Sequence, residues 1–355
     1  MLFAYKYVQH QMEKMQEFID FIFHEVWCKA PDSRPFSLDL FDGSPGLREV
    51  MHDFYFAEPQ PKGAEFFYDH IEGIYGHFAA LNPAQIDQFT RWYRANNDIE
   101  KACANDPALQ LARYTDITPL HKDLSEQLAA FFKGLYSQQL LDLAVLRNKI
   151  GDIDNHYQHF IQANTSGKCP FCGIGDVKGM HHTKREAYDH YLPKGLYPFN
   201  SINFRNLAPA CHECNSTYKL TKDPVHCADG KRKAFYPYAT NSHNIDIRIS
   251  LGKSDIGHLR PVDIELEFGP AAFSEEIATW KDVYGIEERY KAKCCGENDG
   301  KGWIIEIIDE SANYNLTPQQ YLEGKLKTAK HMPLVDTNFL RKPFLEACKV
   351  RGLFD

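Results

Sequence analysis

The amino-acid sequence predicts an α+β chain in three successive parts: a helical N-terminal region, a cysteine-rich centre and a mixed α+β C-terminal region. Apolar residues recur at helical spacing through the first 165 residues. At Asn164 the composition turns to Gly, Cys, Pro and His, and periodicity is lost until about Asn215. Beyond that, runs of period-2 alternation are interleaved with helical ones. The expected parts are therefore residues 1–165, 166–235 and 236–355. A chain of 355 residues is long enough for two or three domains with their own cores. Hydrophobic content of 43% and charged content of 25% are those of an ordinary soluble globular protein.

In chain order, QMEKMQEFIDFIFHEVW puts Met15, Phe18, Ile19, Ile22 and Val26 on one helical face. Asn82-Pro83 and Thr118-Pro119 each read as an N-cap followed by proline at the first helical position. The second opens a helix striped by Leu124, Leu128, Phe131 and Leu135. The following run to Ala163 carries Leu140, Leu143, Leu146 and Ile150 on one broad face. Past the centre, KRKAFYPY, NIDIRISL and VDIELEF read as strands, FSEEIATWKDVYGIEERYKAKC as a helix and GWIIEIID as another strand. TPQQYLEGKLKTAKH and NFLRKPFLEACKVRGLF close the chain as helices.

Net charge is −8, which by itself disfavours a nucleic-acid partner, but the charge is unevenly spread. Residues 1–150 hold 14 Lys/Arg against 21 Asp/Glu, a net of −7, whereas residues 168–233 hold 11 against 6, a net of +5. A basic segment within an acidic chain is what local phosphate binding requires, and it also arises by chance. The first residues contain no unbroken apolar core of signal-peptide type, and no run approaches the roughly 18 apolar residues of a membrane span. The expected location is the cytoplasm, with no membrane partner. Ten cysteines are then thiols or metal ligands rather than disulfides.

Four of them form two knuckles, Cys169-Pro-Phe-Cys172 followed by Gly173, and Cys211-His-Glu-Cys214, with 38 residues between. One such pair could serve redox chemistry, but two pairs supply the four thiolates of a tetrahedral structural zinc site. Cys28, Cys103, Cys227, Cys294, Cys295 and Cys348 fit no such pattern and read as ordinary thiols. A site closed by four sulfurs has no open position for chemistry, so what the zinc ties together is the informative part.

Between the knuckles lie Asp189-His190, then Leu192-Pro193-Lys194, then Asn206-Leu207; just past the second come Asn215 and Lys219, four apart on one helix face. YDHYLPK, NLAPACHECN and Lys219 together resemble the HNH endonucleases, the zinc-ribbon branch of the His-Me finger (ββα-metal) nucleases. The resemblance covers roughly Cys169 to Lys219. It implies a ββα module in which Asp189 and Asn215 hold one catalytic magnesium or manganese ion. Asn206 would fix the loop that orients His190, and Lys219 and Arg205 would contact phosphate. The third position of the family's pattern is Asn215 rather than histidine, and an amide oxygen can ligate magnesium.

Phosphodiester hydrolysis needs an activated water and charge neutralisation, and the neutral imidazole of His190 suits a general base. The expected activity is hydrolysis of nucleic acid, DNA more readily than RNA. A zinc-ribbon module that binds nucleic acid or a protein without cutting accounts for the cysteines and the basic segment equally well. His181, His182, His212 and His226 are near enough in sequence to add a contact, though surface histidine is their commoner role. The acidic helical region is expected to dock a protein partner or restrain the nuclease. HNH proteins with such helical additions resemble the nuclease components of bacterial anti-phage systems, such as Septu-type or Zorya-type effectors.

Overall fold

The computed structural model describes residues 1–33, 35–241 and 243–355. The first apolar stripe forms helix Glu13–Phe21, continued to Trp27 by a wider π turn, and Met15, Phe18, Ile19, Ile22 and Val26 are all buried. Asn82 caps helix Pro83–Asn97 reciprocally: its side chain accepts from the Gln85 amide while the Gln85 side chain accepts from the Asn82 amide. Thr118 departs from the expected pattern. Its hydroxyl donates to the Tyr114 carbonyl at 2.7 Å, closing the turn behind it, and the next helix begins only at Lys122. The run after Ser137 is divided into helices Gln138–Leu141, Ala144–Ile150 and Ile153–Ala163. The breaks are an extended Leu143 and Gly151, whose φ of 81° suits glycine.

In the centre, β1 (Tyr188–His190) pairs antiparallel with β2 (Leu207–Pro209), setting Asp189 opposite Ala208 and His190 opposite Leu207. Helix Glu213–Lys219 follows directly. The order strand, strand, helix is the one that the HNH resemblance implied. Two further antiparallel pairs are β3 (His226–Cys227) with β4 (Gly230–Lys231), and β5 (Asp246–Leu251) with β6 (Ile264–Gly269).

Three expectations for the C-terminal region need correction. KRKAFYPY is strand only at its first residue, where Lys231 ends β4. The long helix after Phe273 is two, Ser274–Tyr284 and Ile286–Cys295, divided by left-handed Gly285. GWIIEIID is no strand but the start of helix Gly302–Asn313. Trp303, Ile304, Ile307 and Ser311 are buried while Ile305 and Ile308 face solvent, which is helical rather than alternating burial.

The apolar core runs unbroken across residues 165 and 235. Backbone hydrogen bonds cross the same lines, from Leu2 to the Pro170 carbonyl at 2.9 Å and from Tyr5 to the Pro237 carbonyl at 2.8 Å. Among the described residues no helix is long and apolar enough to cross a membrane.

Candidate functional site

Cys169, Cys172, Cys211 and Cys214 are buried, and their sulfurs lie within 4.8 Å of one another. The Sγ atoms of Cys172 and Cys211 are 3.9 Å apart. A tetrahedral zinc with bonds of about 2.3 Å would space its sulfurs by roughly 3.8 Å, so the cluster has the donors and the dimensions for one. No other group of three or more His, Cys, Asp or Glu suited to a metal occurs among the described residues, which leaves His181, His182, His212 and His226 outside any such cluster. Gly173 turns the first knuckle at φ 69°, and a Cβ on Gly175 would come 2.7 Å from the Cys211 sulfur. The cradle extends into the C-terminal region. Arg289 donates to the Cys214 sulfur at 3.3 Å, Tyr290 to the Cys172 carbonyl at 2.8 Å, and Trp280 to the Phe171 carbonyl at 2.6 Å. The CxxC spacing announces the knuckles but carries no trace of these distant partners.

The hairpin then places the candidate site residues. His190 Nε2–H donates to the Ser201 carbonyl at 2.9 Å, which leaves Nδ1 as the ring's lone-pair nitrogen. The ring of Tyr136, from the helical region, meets the imidazole in a T-shaped contact at a centroid distance of 4.9 Å and 84°. Burial, then the charge of Lys194, hold the imidazole down at about 3, so it is neutral at cellular pH. A bound phosphate would act in the opposite direction, toward the range that suits a general base.

Asn206 is fully buried and clamps the loop leaving β1. Its Oδ1 accepts from the Leu192 amide at 2.7 Å, and its Nδ2 donates to the carbonyls of Leu192 at 3.0 Å and Asn200 at 3.3 Å. Replacing it with alanine strands two buried backbone groups of Leu192, which we expect to cost roughly 2–5 kcal/mol. Chemical denaturation of Asn206→Ala checks this; an unchanged midpoint would show the clamp to be idle.

Asp189 is 3% exposed, and burial pushes its carboxyl above the usual range against the opposing pull of Lys219. Its Oδ1 accepts from Lys219 Nζ at 2.8 Å, and its Oδ2 is buried without a hydrogen-bond partner among the described residues. Asn215, half-buried at the start of the following helix, has no side-chain hydrogen bond to any described residue. An uncommitted carboxylate oxygen and an uncommitted amide suit a hard divalent cation in donor type.

Lys219 is not presented to phosphate as expected. It is 1% exposed and gives a second bond to the His190 carbonyl at 2.8 Å, so its ammonium is spent inside the module. The wider turn of helix Glu213–Lys219, with Leu220 N reaching the Asn215 carbonyl at 3.2 Å, is the local geometry that carries it there. Lys219→Met would leave Asp189 buried and unpaired, at an expected cost of about 3–5 kcal/mol. The double change Asp189→Leu with Lys219→Met should recover much of that loss in the same denaturation assay. Arg205 is exposed and stacks on Tyr7 at 4.4 Å, with no hydrogen bond or ring contact to Asp189 or His190 among the described residues.

Four residues of this neighbourhood carry a buried polar atom with no partner: Asp189 Oδ2, Asn200 Oδ1, Ser201 Oγ and the Tyr136 hydroxyl. Such atoms are rare in native interiors.

The chain is similar to protein ea31 of Escherichia phage lambda, 34% identical over 94 residues, which are 26% of this chain and 28% of that protein. It is also similar to the Septu protein PtuB of Bacillus thuringiensis, 33% identical over 64 residues, 17% of this chain and 24% of that one. The chain thus spans about a quarter of the length of each curated relative it matches. No family model and no solved structure matches it.

Proposed function

We propose that this chain is a metal-dependent endonuclease of the HNH kind, hydrolysing phosphodiester bonds of DNA. The observation that carries the reading is the pairing on one strand of His190, whose Nδ1 is left free by the Ser201 carbonyl, with Asp189, whose Oδ2 is buried and uncommitted. His190 Nδ1 takes the proton of the attacking water. Asn206 holds the loop, and through it the direction of the imidazole. Asp189 and Asn215 would hold a magnesium or manganese ion, which when bound neutralises charge at the phosphate and leaving oxygen. The zinc-sized cysteine cluster takes no part in bond breaking; it pins the helix that carries Asn215 to the knuckle ahead of β1. The match to a Septu protein supports a place in a bacterial anti-phage defence system. In this reading the acidic helical region is the side that meets a protein partner.

The non-catalytic alternative draws on the Asp189–Lys219 pair, which could serve structure alone. Incubating the protein with single- and double-stranded DNA and RNA, with and without magnesium, separates the two. Magnesium-dependent breakage of DNA is the expected result. Binding without breakage of any substrate would favour the alternative.

A further inference from the structure

The positive segment 168–233 loses most of its surplus on folding. Six of its eleven cations form ion pairs: Lys168 with Asp176, Lys178 with Glu186, Arg185 with Asp154, Lys219 with Asp189, Arg232 with Asp282 and Lys233 with Glu275. Arg205 is stacked on Tyr7, Lys222 and Lys231 reach the carbonyls of Asp282 and Leu109, and Lys184 is exposed with no contact to Asp189 or His190 among the described residues. With Lys219 also committed, the site described above needs another cation to meet its substrate.

Lys194 is that cation by position. Its Nζ lies 5.6 Å from the centre of the Tyr136 ring, the same ring that meets His190 in a T-shaped contact at 4.9 Å. Among the described residues the ammonium has one acceptor, the Lys133 carbonyl at 3.1 Å, which leaves two of its three donors for a ligand. The backbone beneath it is rigid. The Pro193 carbonyl accepts from the amides of Leu196 at 2.8 Å and Tyr197 at 3.0 Å, and Leu192 is held by Asn206 at both its amide and its carbonyl. Beyond it the surface is open: a Cβ added to Gly195 would meet nothing within 4 Å.

We propose that Lys194, steadied by the face of Tyr136, is the substrate-binding residue that takes a non-bridging oxygen of the phosphodiester lying against His190. This rests on the nuclease reading and supplies the phosphate contact that Lys219 cannot make. It also gives the helical region a part in the site, since Tyr136 and the Lys133 carbonyl hold the ammonium in place. The competing account is that Lys194 merely caps the C-terminal end of helix Lys122–Gly134, where a lysine is favourable in any case.

The test is the salt dependence of DNA binding by the full chain in a His190→Ala background, which removes cleavage. Lys194→Gln is expected to lower the slope of log affinity against log salt by about one, and Lys194→Arg to restore it. Both should fold and melt with the parent. A slope equal to the parent's, with only a lower melting temperature, would reduce Lys194 to a helix cap and overturn the proposal. So would failure of the parent to bind DNA. Wild-type cleavage is assayed alongside. A protein that binds with the Lys194-dependent slope but never cuts sinks the nuclease reading alone. One that cuts while Lys194→Gln binds like the parent sinks this inference alone.

Discussion

His190→Ala is expected to lower the rate of DNA cleavage by roughly 10²- to 10⁴-fold, the range that a positioned general base contributes. Zinc content and melting temperature should stay close to wild type. The residue sits at the end of a short strand, and its contacts, one hydrogen bond to the Ser201 carbonyl and the ring of Tyr136, are local, so its loss leaves the supports of the rest of the module in place. The cysteine cluster, the Asn206 clamp and the Asp189–Lys219 pair do not depend on it. A large fall in rate without a fall in stability is the signature of a group that acts on the substrate. Equal cleavage by variant and wild type, followed at several divalent-ion concentrations, would remove His190 from its role.

Cys214→Ser is expected to have the other large effect, and on a different quantity. Zinc bound to four thiolates supplies apparent folding free energies of about 10–16 kcal/mol in isolated zinc fingers, more than a whole domain's usual margin. Here β1 and β2 contribute three residues each, too little to hold a hairpin without support. The knuckles fix both of its ends, and Phe171 carries the attachment onward by stacking on Tyr284 at 4.9 Å. Loss of one sulfur should therefore release zinc and melt the central module together with the helices packed on it. Arg289, left facing a hydroxyl in place of a sulfur, would lose its charged partner as well. Zinc measured by elemental analysis and unfolding followed by circular dichroism check this. A variant that keeps its melting temperature after losing zinc would show that the core, not the metal, holds the hairpin.

The parts of this molecule that were legible in the sequence are those in which one short segment settles the outcome. CPFCG and CHEC dictate knuckles because each pair must aim two sulfurs at one point, and Asn82-Pro83 dictates a cap because its partners lie within four residues. The amphipathic stripes through Leu124 and Leu128 likewise belong to one element. What was not legible depends on partners far along the chain. The HNH resemblance implied that Lys219 contacts phosphate, and its i and i+4 spacing from Asn215 says which face it occupies, not that Asp189, 30 residues earlier, waits on that face. Tyr136, Lys133 and Arg289 reach the site from other regions, and no local pattern announces them. GWIIEIID misleads for a related reason. Its β-branched residues favour a strand locally, and only packing of Ile304 and Ile307, with Ile305 and Ile308 left outside, decides for a helix. The expected division at residues 165 and 235 followed composition, whereas the apolar core is continuous across both.

The central claim is that Asp189, His190 and Asn215 serve one divalent-ion-dependent cleavage of DNA. Supercoiled plasmid incubated with purified protein, with and without magnesium, tests it most directly when wild type and Asp189→Asn are run side by side. The account predicts open-circular and linear product from the wild type only when magnesium is present, and little or none from the variant. Intact plasmid in every lane, with wild-type protein that is folded and carries its zinc, would contradict it.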